Sequence, residues 1–226
     1  MEGWQNGIAP LPKSGARKGL EVRILHPPHS KIRLVRIQVP QLVGIKSINM
    51  SIKKTVQIGN KIIRQKAGTV RNVLNPEIQK TIKDLIDSMR HDNLVGMAAP
   101  QIGKKWRIFV SEIRQTTYRK NIAKLGTLKV FVNPKIIWQS KKQQNGYEGC
   151  RSVISSQLFA LIKRSESVIC EALDKDGKLF KIKASGFLAR IIQHEIDHLN
   201  GIVFLDRVSD TRTIIDRKTY IDSQKK

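Results

Sequence analysis

The sequence predicts an α+β fold in which antiparallel strands pack around a central helix carrying His194, Glu195 and His198, with one helix before it and a further one after. Three observations lead there. Between Ser185 and Gly201, Phe187, Leu188, Ile191, Ile192 and Leu199 recur at helical spacing, with Ser185 placed to cap the start and Gly201 to end it. Asn75-Pro76 opens another helix, whose residues Ile78, Ile82, Leu85, Ile86 and Met89 make a single apolar stripe ending near His91-Asp92-Asn93. Between and around these helices lie short segments rich in β-branched and aromatic residues.

The strands are expected at 106–112, at 128–133, and again from Ile136-Ile137 onward. Ser140–Gly146 reads as a polar loop. Residues 167–173 and 179–184 read as a hairpin around Asp174-Lys175-Asp176-Gly177. Residues 202–205 read as a last short strand, and 209–226 as a basic terminal helix through Ile214, Ile215 and Ile221. The segment 61–71 reads as extended or looped, and 114–126 as a basic connection without a clear pattern. Cys170, inside a strand, reads as a small buried hydrophobe.

Composition narrows the classes. The 226 residues are 40% hydrophobic, enough for a substantial core, and no apolar run approaches the about 20 residues needed to span a bilayer. Two cysteines, Cys150 and Cys170, argue against a disulfide framework and suit a reducing cytoplasm. The formal net charge is +24, of which residues 1–49 carry +6. Such a field favours anionic partners, RNA first among them, although charge speaks to association rather than to chemistry. Residues 1–49 hold five prolines and little pattern; Pro27-Pro28 breaks any amphipathic transit helix. They are expected to be a basic extension, dispensable or arising from an over-long start, since Met50-Ser51-Ile52-Lys53 reads like a natural beginning. Residues 50–208 are then expected to form the main domain and 209–226 a basic tail.

The spacing of His194 and His198 places both imidazoles on one helix face, one turn apart, with Glu195 beside them. Two imidazoles and a carboxylate suit a transition metal that activates water. The same pattern also occurs on ordinary surface helices. Cys150 adds a soft thiolate donor, and a Cys/His/His set leaves one coordination position open for water or substrate; read alone, Cys150 is equally a buried thiol before a strand. Glu148 and Asp197 are candidates for the outer acceptor that metal-bound histidines use.

The order of three short motifs resembles the peptide deformylases. They are Val95-Gly96-Met97-Ala98-Ala99-Pro100-Gln101, then Glu148-Gly149-Cys150-Arg151-Ser152, then Gln193-His194-Glu195-Ile196-Asp197-His198, in a layout similar over residues 52–208. The resemblance implies a metal-dependent hydrolase that removes the N-formyl group from the formyl-methionine of nascent peptides and releases formate. It implies Cys150, His194 and His198 as ligands of one divalent ion, commonly Fe(II), with Zn, Ni or Co able to substitute. Glu195 becomes the general base, while the Gln101 side chain and the backbone N–H of Arg151 become oxyanion donors. Leu94, Val95 and Gly96 line the peptide, Gly96 allowing its backbone to approach. Two departures stand out: Leu94 replaces the first glycine of the pattern, and Arg151 replaces the leucine common after the metal cysteine, with no proline in Ile154-Ser155-Ser156-Gln157. A peptidase is a weaker reading, since no histidine follows His198 as a third ligand. The remaining alternative is a divergent, weakly active relative serving mainly as a basic ribosome- or RNA-binding protein.

Overall fold

The Asn75 side chain accepts a hydrogen bond from the Glu77 N–H at 2.9 Å, and Pro76 follows at the first helical position, so α1 begins where an orphan donor is satisfied and none is wasted. The computed structural model describes residues 50–116 and 125–224; the extension expected over 1–49, the middle of the 114–126 connection and the last two residues lie outside the described residues. Helix α1 spans Pro76–His91. Strands β1 (Gly96–Ala98), β2 (Ile108–Ser111), β3 (Lys129–Gln139), β6 (Ser167–Leu173) and β7 (Leu179–Ser185) form an antiparallel sheet in the order β1-β2-β3-β6-β7. Strands β4 (Gln143–Gly149), β5 (Leu158–Ser165) and β8 (Ile215–Asp216) form a second, three-stranded antiparallel sheet. Helix α2 is Gly186–Leu199, and helix α3 is Arg217–Ser223.

Period-two alternation in β2 and β3 decides how the helices sit. Ile108, Val110, Val130 and Val132 meet Ile78, Ile82, Leu85 and Met89 of α1 in one cluster. Phe109 and Phe131, one residue out of phase, meet Ala189, Ile192, Ile196 and Leu199 of α2 in another, with their rings stacked 4.3 Å apart. The first sheet therefore buries both faces, α1 on one and α2 on the other. A third cluster packs Ile63, Cys150, Ala160, Ile162 and Phe204 together on the second sheet. Helix α2 reaches that sheet too: the Gln193 amide exchanges hydrogen bonds with the Ser165 backbone at 3.1 and 2.9 Å, extending the end of β5 like one more strand residue.

Several expectations are corrected. The two strands expected at 128–133 and from Ile136 are one strand, β3, kept continuous through a bulge at Asn133, which adopts φ +52°, and Pro134, which has no N–H to offer, and a second irregularity at Ile137. The Ser140–Gly146 loop shrinks to a turn, because β4 starts at Gln143; its polar side chains there are exposed, so composition hid the strand. Residues 158–165, for which no element was expected, form β5. Residues 202–205 are not a strand, and Phe204–Arg207 form a 3-10 turn. Ser185 occupies the cap position of α2, but its side chain makes no capping bond. The terminal helix is confined to Arg217–Ser223 and follows the short strand β8.

The N-terminal strap 51–55 is held to α1 by charge. Ser51 N–H donates to Asp87 at 2.9 Å, Lys53 N–H donates to Ser88 Oγ at 2.9 Å, and Lys80 and Lys53 face Asp84. Burial opposes ionisation of Asp84 and Asp87, yet hydrogen bonds from Ser51 and the neighbouring lysines more than offset it, so both carboxyls sit below the ordinary range. The Arg90 fork does the same for Glu112. A folded pKa below the unfolded one means stability that is complete above the unfolded values, near pH 4–5, and lost as pH falls through the folded ones. Unfolding free energy from denaturant titration is therefore expected to drop as pH falls from 5 towards 3. A flat profile to pH 3 contradicts this account of α1.

Candidate metal centre

Cys150 follows β4 directly, while His194 and His198 project from the α2 face turned to the second sheet, so the contact between α2 and that sheet brings the three residues together. One donor atom from each lies within 4.8 Å of the others. Cys150 Sγ is 3.2 Å from His198 Nε2, and the two imidazoles meet edge-on with centroids 4.9 Å apart. Cys150 and His198 are buried, and His194 faces a small cavity of about 90 Å³ whose lining includes Gly96, Gln101, Tyr147, Cys150, Phe187 and Glu195. Burial pushes the Cys150 thiol up, but the His198 charge and hydrogen bonds from both histidines win and hold it at about 5, on the thiolate side of neutrality.

The carboxylates divide their work. Glu148 accepts His194 Nδ1–H at 2.9 Å, a bidentate pair from Arg164 at 3.0 and 2.9 Å, and Arg190 at 2.8 Å. Burial disfavours its charge, but His194 and Arg164 hold its carboxyl far below the usual range. Burial likewise opposes a charge on His194, whose hydrogen bonds to Cys150 and Glu148 nevertheless raise its pKa well above the ordinary value. Asp197, the other candidate for an imidazole acceptor, instead holds Arg164 and Arg207, and His198 Nδ1 is buried with no hydrogen-bond partner. Burial raises Glu195 to about 7, with the histidine charges pulling the other way. Its Oε2 is buried and unpartnered, an orphaned acceptor in the same cavity as Cys150 and His194.

The other residues singled out by the sequence converge here. Gln101 Oε1 accepts the Ala98 N–H at 2.8 Å, which turns its Nε2 to within 3.5 Å of Cys150 Sγ and Ser152 Oγ. A Cβ on Gly96 would collide with the Glu195 carboxylate and lie 3.1 Å from Ile191, so Gly96 makes room for the carboxylate. Leu94 is half-buried, packing on the α1 cluster and lining the cavity, and Val95 is buried beside it. Arg151 turns its side chain aside to Asp92 at 3.2 Å. Arg164 and Arg190 were not anticipated. The available signal was an arginine at an inward position of an apolar segment, with two motif carboxylates needing counter-charges.

Three donors of S/N/N character, an unpartnered carboxylate oxygen and an amide donor around one small cavity suit a divalent ion with an open position. Fold and site define a metal-dependent hydrolase. A profile of the polypeptide deformylase family matches residues 52–213. Among curated relatives, peptide deformylase 2 of Nostoc sp. is 35% identical over 173 residues, covering 76% of this chain and 95% of its own, and the peptide deformylase of Thermomicrobium roseum is 38% identical over 165 residues, covering 73% and 90%. The crystal structure of a class I type b peptide deformylase from Acinetobacter baumannii with Met-Ala-Ser bound superposes with a TM-score of 0.66 at 32% identity, covering 70% of this chain and 99% of that one. The chain belongs to the polypeptide deformylase family, metal-dependent hydrolases that remove the N-formyl group from new polypeptides. The alternative of a mainly RNA-binding relative finds no support among these matches.

Glu148→Ala leaves Arg164, only 6% exposed, without its bidentate partner. Breaking a buried pair by removing one partner costs about 3–5 kcal/mol; Arg164 keeps Asp197, so a loss towards the lower end of that range is expected in urea titration. A loss below about 1 kcal/mol contradicts the pairing described above.

Proposed function

We propose that this chain deformylates nascent formyl-methionyl peptides through Cys150, His194 and His198 as metal ligands and Glu195 as general base, with α2 as the central metal-binding helix. The observation that carries the reading is the convergence of the three donors beside the orphaned Glu195 oxygen. A divalent ion held there, Fe(II) in this reading with Zn, Ni or Co able to substitute, would supply Lewis-acid polarisation and lower the pKa of water. Glu195, raised towards neutrality by burial, takes the proton of the attacking water and hands it to the leaving amine. The Gln101 Nε2–H and the Arg151 backbone N–H donate to the oxyanion that forms at the formyl carbon. Glu148 fixes the ring of His194 from behind, the role an outer-shell carboxylate plays for a metal-binding imidazole.

Strand β1 is an edge of its sheet, so a peptide can lie alongside Leu94, Val95 and Gly96 as an added strand. The Met-Ala-Ser bound to the Acinetobacter baumannii enzyme supports a short peptide beginning with methionine as ligand. The methionine side chain then enters the cavity against Phe187 and Ile191. No helix among the described residues is long and apolar enough to cross a membrane. Protein biosynthesis in the cytoplasm is the setting we infer, with the basic surface and tail docking on ribosomal RNA.

Formate release from formyl-Met-Ala-Ser by the Fe(II)-loaded protein tests the chemistry. Glu195→Ala should lower the rate at least about 10²-fold, and Cys150→Ala should lose the single equivalent of metal retained by the parent on dialysis. Equal rates for parent and Glu195→Ala refute the base. Ribosome binding, measured by cosedimentation, should weaken steeply as salt rises; binding indifferent to salt refutes docking through charge.

A further inference from the structure

Residues 55–58 continue the strap that lies on α1, and they bond to both segments that carry the oxyanion donors of the reading above. The Val56 N–H donates to the Gln101 carbonyl at 2.8 Å, and the Ile58 N–H donates to the Ser152 carbonyl at 2.8 Å. Between them, the half-buried Gln57 commits its whole amide. Its Nε2 donates to the Arg151 carbonyl at 3.0 Å and to the Thr55 carbonyl at 3.2 Å, and its Oε1 accepts the Ser155 N–H at 3.0 Å. Two carbonyls and one N–H fit an amide only one way round. We propose that Gln57 is a positioning residue for deformylation: it fixes the loop from Cys150 to Ser155 so that the Arg151 N–H and the Gln101 amide meet the same oxyanion. The inference rests on the deformylase reading, which assigns those two donors.

The loop needs such a hold. The Cys150 carbonyl accepts the Val153 N–H at 3.0 Å, which closes a turn. The carbonyl and N–H of one trans peptide point in opposite directions, so the Arg151 N–H faces out of that turn. No acceptor takes it among the described residues. An uncommitted N–H beside Cys150 is what a developing oxyanion requires. Immediately afterwards, Ile154, Ser155 and Ser156 adopt φ of +43°, +51° and +64°. Non-glycine residues rarely occupy that region, a β-branched one least of all, and such a conformation persists only where its surroundings impose it. Gln57 grips the stretch at two points, the Arg151 carbonyl and the Ser155 N–H. Val56 and Ile58 pack on the cluster that contains Cys150 and Val153, but apolar contact carries no direction. The amide supplies it.

A donor that acts on the oxyanion is felt in the transition state rather than in the bound peptide, so displacing it lowers kcat and leaves KM. Gln57→Met keeps the length of the side chain and loses the amide. In the Fe(II)-loaded protein it should lower kcat for formyl-Met-Ala-Ser at least about tenfold, the scale of a displaced donor. KM, the affinity for the product Met-Ala-Ser and the single equivalent of metal retained on dialysis should match the parent. Gln57→Glu keeps an acceptor for Ser155 but turns an oxygen on the Arg151 carbonyl, and it should show the same split. Lys53→Ala removes the contact with Asp84 at 3.6 Å, further back along the same strap, and should leave kcat unchanged. Parent-like kcat in either Gln57 variant overturns the inference. So does a rise in KM or a loss of metal that accounts for the slower rate, or an equal fall in Lys53→Ala. No formate from the Fe(II)-loaded parent overturns the deformylase reading itself, and the inference with it.

Discussion

One buried guanidinium ties the reacting end of the molecule together. Arg164 leaves β5, grips both oxygens of Glu148 on β4, and reaches Asp197 on α2, so it joins the second sheet to the histidine helix. Taking these charges out of water costs several kcal/mol each, and each is matched by hydrogen bonds from more than one direction. Arg207 completes Asp197, and Arg190 completes Glu148 while donating to the Gln144 and Ile162 carbonyls. A network so fully satisfied contributes more to geometry than to net stability. Its output is the orientation of His194, which receives through Glu148 a direction set by two strands and a second helix.

The cavity in front of that network is shaped by size as much as by charge. Gly96 leaves space for the Glu195 carboxylate, and burial there raises its pKa to about 7. The Gln101 amide is turned by its own backbone: Ala98 N–H claims the oxygen, which leaves the NH₂ for the site. A single polar turn thus fixes an amide donor beside Cys150 and Ser152.

The departures from the family pattern have structural consequences in one place. Leu94 and Arg151 both line the cavity in front of the three donors, and the Arg151–Asp92 ion pair spans from the loop that carries Cys150 to the end of α1. Leu94 adds apolar surface that packs back on the α1 cluster. The Ile154–Ser156 turn following Arg151 carries three consecutive residues with positive φ, where a proline is common in the family.

Much of this was legible in the residues themselves. The α1 stripe, the hairpin at 167–185 and the helix bearing His194 and His198 follow from local periodicity and from end signals such as Asn75-Pro76, because those depend on neighbours in the chain. The three motifs pointed to one metal centre, since ligand chemistry is carried by residue type. Strand β4 was hidden by its polar, exposed first half, and the continuity of β3 by Pro134; in both, pairing with a neighbouring strand overrides composition. Only tertiary packing could choose between Glu148 and Asp197 as the partner of a histidine, because both lie in the motifs and the choice turns on where Arg164 and Arg207 reach. The sequence by itself determined which atoms are chemically able to meet an ion. Which of them face one another, and what stands behind them, was decided by the sheet and helix that bring residues 101, 150 and 194 into one small volume.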